Sequence, residues 1–327
     1  MHVFASRTAL ALMALLHAGA TAAQTASSYP SRTVTLIVPF SAGTGMDAVA
    51  RAIAPRLSQR WGQAVVVDNR PGASGNIGAE AVARSAPNGH TLMVTAGTIT
   101  ITPALFKNVP YDVVADFAPV AKLGIAGYAF TVNPAVMPAN DLNALLATVK
   151  SNPGKFHYSS PGNGTPHHLG MELLKLRLGL DIPHVPYKGL AGALTDLLGG
   201  QVQMIFTLVP SAIPHVRAGR LKVLAVTGTT RTALMPDAPT FREQGIAFMD
   251  QLDAWYGLLA PARTPPDIIA RLNAEVRTVL ALPEVRDQLM KQGIEPAPGT
   301  TEEFTALIRD ELVRWAALVR DAKIVVD

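Results

Sequence analysis

The sequence alternates short, largely apolar segments with longer segments of helical periodicity. Val34–Val38, Ala64–Asp68 and Thr91–Thr95 are such apolar segments, and between the first two lies Met46–Trp61, whose apolar side chains recur at helical spacing. Continuous apolar strands are typical of parallel sheets that are covered by helices on both faces. The alternation therefore predicts an α/β fold.

Two clusters of such strands and helices follow one another, with no low-complexity linker between them. The remaining predicted strands are Tyr128–Val132, Phe156–Ser159, His184–Tyr187, Val202–Phe206, Leu221–Thr227 and Trp255–Ala260. The remaining predicted helices are Asn76–Arg84, Leu142–Lys150 and residues 165–178, 190–198, 210–218, 266–281, 284–292 and 301–321. Without a linker, the chain is expected to cross between lobes on strands. We predict a first lobe of residues 29–128 plus 252–327, a second of residues 129–251, and a hinged cleft between them.

Residues 1–23 have the composition of an export signal. Basic residues His2 and Arg7 precede an apolar segment over residues 9–16, and small residues at 20–23 offer a cleavage site, as in a secretory signal peptide. The apolar segment is shorter than the ~20 residues that span a bilayer, so a retained membrane anchor is the less favoured alternative. The chain has no cysteine, so a lipid anchor is excluded and a cleaved, periplasmic protein is predicted.

The composition excludes several classes of chemistry. Without cysteine there is no disulfide, thiolate zinc site, iron–sulfur cluster or cysteine nucleophile. Lys and Arg total 28 against 24 Asp and Glu, and the cations form no cluster of the kind that nucleic-acid binding requires. The acidic pairs Glu302-Glu303 and Asp310-Glu311 lie on amphipathic terminal helices, where we expect solvated carboxylates rather than a catalytic pair.

The loop Pro39–Asp47 is the first candidate binding element. It follows a buried strand and opens a helix, at the edge where open α/β sheets bind ligands. A helix N-terminus offers unpaired N–H groups and partial positive charge, which suit a carboxylate or phosphate. Ser41 and Thr44 add hydroxyls, Gly43 permits positive φ, and Asp47 is expected to cap the helix or hold the loop. The segment does not match the phosphate-binding P-loop pattern.

The loop Ser159–His168 is the counterpart in the second cluster, with glycines and hydroxyls between a strand and a helix. Two such loops, one in each lobe, could hold one anion from both sides. His167 and His168 are adjacent, and neighbouring helical side chains diverge by about 100°, so a metal site is not predicted. Ala96-Gly97-Thr98 forms a third strand end with small and hydroxyl residues. For Asn69–Gly78 the favoured interpretation is a structural turn.

Several stretches together resemble the Bug receptors, the periplasmic solute-binding proteins of tripartite tricarboxylate transporters. The resemblance runs from about Tyr29 to Lys323 and implies a type II periplasmic-binding-protein fold, with two lobes, crossing strands and a ligand cleft. It also implies a small carboxylate ligand, held by loop N–H groups, hydroxyls and bridging waters. The stretches are VPFSAGTGMDAVAR (38–51), NRPGASGNIGAEAVARSAPNGHTL (69–92), PYDVVADFAPV (110–120), SSPGNGTPHHLGMELL (159–174), HVPYKGLAGALTDLLGGQVQMIF (184–206), LKVLAVTGTTR (221–231) and WYGLLAPARTP (255–265).

The resemblance also implies which residues bind the ligand. The first lobe would supply Phe40, Ser41, Ala42, Gly43, Thr44, Asp47, Ala96, Gly97 and Thr98, and the second Ser160, Gly162, Asn163, Thr165, His168 and Thr207. Two positions depart from the family pattern. Thr44 replaces a usual glycine, and Thr207 stands where an aspartate is common, which favours a plain carboxylate over an amino acid.

We therefore predict a binding protein that captures a small organic carboxylate for a tripartite tricarboxylate-type transporter. It is expected to have no catalytic residues, cofactor or metal, to be a monomer and to bind no nucleic acid. Its partners would be the ligand and the membrane subunits of its transporter. The alternatives that stay open are a secreted α/β hydrolase acting on a small acid and a receptor for signalling. The sequence does not identify the ligand.

Overall fold

A computed structural model describes residues 29–250 and 252–325, so the predicted signal peptide lies outside the described residues. The strands are β1 Val34–Val38, β2 Val65–Asn69, β3 Thr91–Ala96, β4 Phe117–Ala126, β5 Tyr128–Val132, β6 Tyr158–Ser160, β7 His184–Pro186, β8 Met204–Leu208, β9 Lys222–Val226, β10 Ala254–Pro261 and β11 Glu295–Pro296. The helices are α1 Gly45–Trp61, α2 Asn76–Ala83, α3 Thr98–Leu105, α4 Leu142–Lys150, α5 Pro166–Leu178, α6 Leu190–Leu198, α7 Val209–Arg217, α8 Pro266–Leu280, α9 Pro283–Lys291 and α10 Thr301–Asp321. The predicted α/β class is confirmed.

The first sheet has the strand order β11-β4-β10-β3-β1-β2. Its β1 pairs in parallel with β2 and β3, while β10 runs antiparallel to both β3 and β4. The ten-residue strand β4 was not predicted, because Pro119, Lys122 and Gly124 interrupt its apolar pattern. Pairing along nearly its whole length with β10 makes it a strand despite this weak local preference.

The second sheet has the order β7-β6-β8-β5-β9. Its β6 is parallel to β7 and β8, and β5 is antiparallel to β8 and β9. The chain passes from the first sheet to the second through Gly127, between β4 and β5, and β10 returns it to the first sheet.

Helix α3 was also not predicted from the sequence. Its residues, TITITPAL, alternate threonine with isoleucine and favour a strand locally. In the fold, Thr100 and Thr102 donate their hydroxyls to the carbonyls of Gly97 and Thr98 at 2.7 and 2.8 Å. These bonds satisfy the threonine hydroxyls within the helix, and the isoleucines of the helix are buried. Tertiary packing therefore overrides the local preference for a strand.

Each sheet carries its own apolar core, and helix α10 connects the cores. Val49 and Ile53 of α1 pack in the first core, and Phe130 and Phe206 in the second. Trp315 of α10 joins the second core although α10 also packs on β4 and α3. Contacts between the lobes therefore extend beyond the crossing strands. Within residues 29–250 and 252–325, no helix is both long and apolar enough to span a membrane.

Candidate functional site

A cavity of about 300 Å³ lies between the two lobes, and we call it the interlobe cavity. Most of its lining is apolar or aromatic, with a few hydroxyl, imidazole and carboxyl groups. From the first lobe and the segment returning to it, the lining residues are Thr44, Gly45, Met46, Ala96, Gly97, Thr98, Ile101, Leu252, Asp253, Ala254, Trp255, Tyr256, Glu311 and Trp315. From the second sheet and helix α5 they are Tyr128, Pro166, His167 and Leu208.

Three helices begin at this cavity. Helix α1 begins at Gly45 after its N-cap Thr44, α3 begins at Thr98 after Gly97, and α5 begins at Pro166. The first N–H groups of a helix have no intrahelical acceptor, and the helix dipole adds partial positive charge there. Because the three N-termini come from both lobes and line one cavity, the geometry suits an anion held between the lobes.

Asp47 organises the first loop rather than lining the cavity. Its carboxylate accepts from the Gly43 N–H at 2.9 Å, from Asn69 Nδ2 at 3.0 Å and from Arg51 Nε at 3.0 Å. Burial alone raises the pKa of this carboxyl, but the hydrogen bonds from Arg51, Gly43 and Asn69 outweigh burial and hold the pKa below its usual value. Asn69 also donates to the carbonyl of Phe40 at 3.0 Å, which fits the structural role expected for its own loop.

The other predicted residues of the first loop lie at its edges. Phe40 lines a separate, much smaller void that Thr98 also reaches. Ser41, Ala42 and Gly43 are exposed, and the hydroxyl of Thr44 donates to the Ser41 carbonyl at 3.1 Å. Of the first-lobe residues carried over by resemblance, Thr44, Ala96, Gly97 and Thr98 line the interlobe cavity.

The polar residues of the second lobe that were predicted to bind the ligand mainly form hydrogen bonds within their own loop. Ser160 is fully buried, and its hydroxyl lies 2.7 Å from His184 Nε2 and accepts from the Gly162 N–H at 3.1 Å. Thr165 caps α5 and donates its hydroxyl to the Gly162 carbonyl at 2.8 Å. Asn163 is exposed. These residues shape the loop, and none of them lines the interlobe cavity.

The two adjacent histidines have different environments. His168 is buried, accepts from the Gly164 N–H at 3.0 Å through Nδ1 and stacks on His184 with ring centroids 4.1 Å apart. His167 lines the cavity and meets the ring of Tyr128 edge-on, with centroids 5.3 Å apart. Among the described residues, neither ring nitrogen of His167 has a hydrogen-bond partner. Burial lowers the pKa of His167 to about 4, so the ring is neutral at neutral pH.

Thr207 of β8 lies opposite Ala129 of β5. Its side chain is buried and its hydroxyl has no partner among the described residues. The next residue, Leu208, lines the cavity, and Thr207 does not. Because successive side chains of a strand point to opposite faces, Thr207 is directed away from the position where the resemblance placed it.

The aromatic wall of the cavity was missed from the sequence. Trp255 and Tyr256 come from β10, and Glu311 and Trp315 from α10. The expectation that Glu311 is solvated is wrong. Its side chain is buried and accepts from Trp255 Nε1 at 2.8 Å. It also lies 2.7 Å from Thr100 Oγ1, whose one proton is shared with the Gly97 carbonyl. Burial raises the pKa of Glu311 despite these bonds and the nearby Arg314.

The described polar side chains include one serine–histidine contact and no cluster placed to hold a metal ion. Among residues 29–250 and 252–325, no group of three or more His, Asp or Glu side chains is placed to hold a metal ion. The Ser160–His184 pair has the spacing of a nucleophile and base, but it lies outside the cavity. Burial lowers the pKa of His184 to about 3, which makes it a weak base.

Comparisons with known proteins cover almost the whole described chain. The family model described as tripartite tricarboxylate transporter family receptor matches residues 49–324. Protein BugT of Bordetella pertussis is 36% identical over 306 residues, 93% of each chain. A solved R. palustris protein with adipate has a TM-score of 0.76 at 33% identity, over 91% of this chain and 99% of its own. MatC from Rhodopseudomonas palustris with bound malate has a TM-score of 0.71 at 34% identity, over 89% and 100%.

Proposed function

This chain belongs to the tripartite tricarboxylate transporter receptor family, and we propose that it captures a small organic carboxylate in its interlobe cavity for a membrane transporter. The resemblance to the Bug receptors is confirmed. The family consists of solute-binding receptors rather than enzymes, so the hydrolase alternative is not favoured. Relatives of the same fold were solved with adipate and with malate, both carboxylates.

The observation that carries the proposal is the convergence of three helix N-termini on one cavity. In the first lobe, the N–H groups that begin α1 and α3 and the hydroxyl of Thr98 would hold the carboxylate. In the second lobe, the start of α5 would face the ligand from the other side. A ligand that contacts both lobes stabilises the arrangement in which they are close, because only that arrangement offers both sets of contacts.

The predicted lobe boundaries and site residues belong to this proposal. Residues 29–128 with 252–327 would move against residues 129–251. Ser41, Ala42 and Gly43 would meet the ligand from the exposed edge of the first loop. Asp47, Ser160, Thr165 and His168 would act by holding the two loops in shape, as their hydrogen bonds suggest.

The proposed location is the periplasm, reached through the export signal at residues 1–23 and its cleavage. The receptor would act as a monomer, without cofactor or nucleic acid, and deliver its ligand to the membrane subunits of its transporter. Uptake and signalling would both use the same bound receptor.

A thermal-shift screen tests the proposal. Protein shown by native mass spectrometry to be free of ligand is heated with a panel of mono-, di- and tricarboxylates and with the corresponding neutral amides. A ligand that binds only the folded state raises its stability in proportion to RT ln(1+[L]/Kd). We expect carboxylates to raise Tm and amides to leave it unchanged. No shift with any carboxylate would contradict the proposal.

A conservative pair of variants localises the binding. Thr98→Val removes a hydroxyl at the cavity with little change of shape, and loss of one hydrogen bond should weaken carboxylate binding about three- to tenfold. Thr148→Val makes the same change on exposed α4, where the hydroxyl donates to the Ala144 carbonyl, and should leave affinity unchanged. Equal carboxylate affinity of the two variants would show that the Thr98 hydroxyl does not contact the ligand.

A further inference from the structure

The interlobe cavity has an aromatic wall. Around the helix N-termini lie four aromatic side chains, Tyr128, Trp255, Tyr256 and Trp315. Such rings bury large apolar surfaces and prefer offset or edge-on contact with other rings. A short hydroxylated acid would leave these faces unoccupied, whereas a flat apolar body would cover them.

The cavity also lacks a counter-charge for a second carboxylate. Of the described residues that line it, none is a lysine or an arginine. Two carboxyl groups, those of Asp253 and Glu311, lie in the same wall. Glu311 is paired with Arg314 at 2.8 Å, and Asp253 accepts a hydrogen bond from the Thr227 hydroxyl and lies in the field of Lys122. A second negative charge on the ligand would meet these carboxyl groups, whose cations Arg314 and Lys122 are not among the residues that line the cavity.

The second lobe contributes one unsatisfied polar group. Both ring nitrogens of His167 are buried and without partners among the described residues. A buried polar group without a partner is costly, so a ligand that supplies one gains from the contact. A neutral imidazole carries one donor and one acceptor, which matches a hydroxyl or amide and not a second anion.

We propose that the cavity selects monocarboxylic acids with a flat, apolar, ring-shaped body, and that His167 hydrogen-bonds a neutral polar substituent on that body. This inference rests on the proposed function and specifies its ligand class. The carboxylate lies at the N-termini of α1 and α3, the ring packs among Tyr128, Trp255 and Tyr256, and the substituent faces α5.

Calorimetric titration of the ligand-free chain with five probes tests this assignment. The probes are benzoate, 3-hydroxybenzoate, 4-hydroxybenzoate, adipate and malate. We expect the aromatic acids to bind at least tenfold more tightly than adipate and malate. At least one hydroxybenzoate should exceed benzoate by about three- to tenfold, as expected for one added neutral hydrogen bond.

The variant His167→Phe separates the two parts of the inference. It keeps a ring against Tyr128 but removes both nitrogens, so the preference for hydroxybenzoate over benzoate should vanish while benzoate still binds. His215→Phe, on α7 outside the cavity, should retain the preference. A preference that persists in His167→Phe would overturn the role of His167.

The probes also distinguish this inference from the proposed function. Tighter binding of adipate or malate than of every aromatic acid would overturn the ligand class and leave carboxylate capture intact. Failure of all five probes, together with failure of the wider carboxylate panel, would overturn both.

Discussion

The ring of Tyr256 lies directly against Gly45, the first residue of α1. A Cβ built on Gly45 would overlap the hydroxyl oxygen, Cζ and Cε1 of that ring. Tyr256 reaches this place because β10 pairs antiparallel with β3, with Tyr256 opposite Ala96. A strand from the C-terminal part of the chain therefore covers the helix N-terminus that the N-terminal loop presents to the cavity.

Gly45→Ala should damage the site through this contact. The added methyl has to displace the Tyr256 ring, which costs about 1–3 kcal/mol of stability. Because both residues line the cavity, ligand affinity should fall at least tenfold. Urea unfolding and calorimetric titration measure the two effects.

The matched control is Gly199→Ala at the end of α6, where the nearest atom to an added Cβ is 3.4 Å away. It should change affinity little. If Gly45→Ala binds like the wild type, Tyr256 does not shape the site.

Asp47→Asn should weaken the first loop. The carboxylate that accepts from Gly43, Arg51 and Asn69 would become an amide with a single acceptor oxygen, at a cost of about 1–3 kcal/mol at pH 7. The pKa of Asp47 is held below its usual value, so its stabilisation is present above about pH 4 and is lost as pH falls through the lowered pKa. Urea unfolding should show a smaller difference in the free energy of unfolding between the variant and the wild type at pH 3 than at pH 7.

The control for Asp47 is Asp68→Asn, which removes a partly exposed ion pair with Arg70 and should cost under about 1 kcal/mol. If the difference in the free energy of unfolding between Asp47→Asn and the wild type does not depend on pH, the Asp47 carboxylate does not hold the loop.

Asp253→Asn should stabilise the protein above pH 7. Burial, reinforced by the Glu295 carboxylate, raises the pKa of Asp253 to about 6, although the hydrogen bond from Thr227 opposes the rise. A carboxyl with a raised pKa is most favourable below its unfolded pKa of 3.8, and that advantage is lost as pH rises through 6. Relative to the wild type, the free energy of unfolding of the variant should be higher by about 1–3 kcal/mol at pH 8 and almost unchanged at pH 4. Guanidinium unfolding at both values measures the gain, and destabilisation at pH 8 would refute it.

Acid should weaken the second lobe through its buried histidines. Burial lowers the pKa of His167 to about 4 and that of His184 to about 3. Groups that are neutral in the fold and protonated when unfolded contribute stability that is present above about pH 6.5 and lost as pH falls towards 4. Between pH 7.5 and pH 5, the free energy of unfolding should fall by about 1–2 kcal/mol less in His167→Phe than in the wild type. Urea midpoints at the two pH values test this, with His215→Phe as control, and an unchanged acid loss would contradict it.

Local patterns determined the class of the fold and the positions of the two loops that are proposed to meet the ligand. Apolar strands and helical periodicity are short-range properties, and β1, α1 and β3 lie close to where the sequence predicted them. Caps are equally local, so Thr44 and Thr165 mark the helix starts that reach the two loops. The family resemblance followed from the same stretches.

Only the tertiary structure decided which side chains form the cavity. Pairing of β10 with β3 and packing of α10 across the lobes brought Tyr256 and Trp315 to the site, and nothing in their local sequence indicates those contacts. The same holds for His167 and His168. Adjacent residues on α5 point in different directions, and the position of β5, with Tyr128, determines that His167 faces the interlobe cavity and His168 the interior.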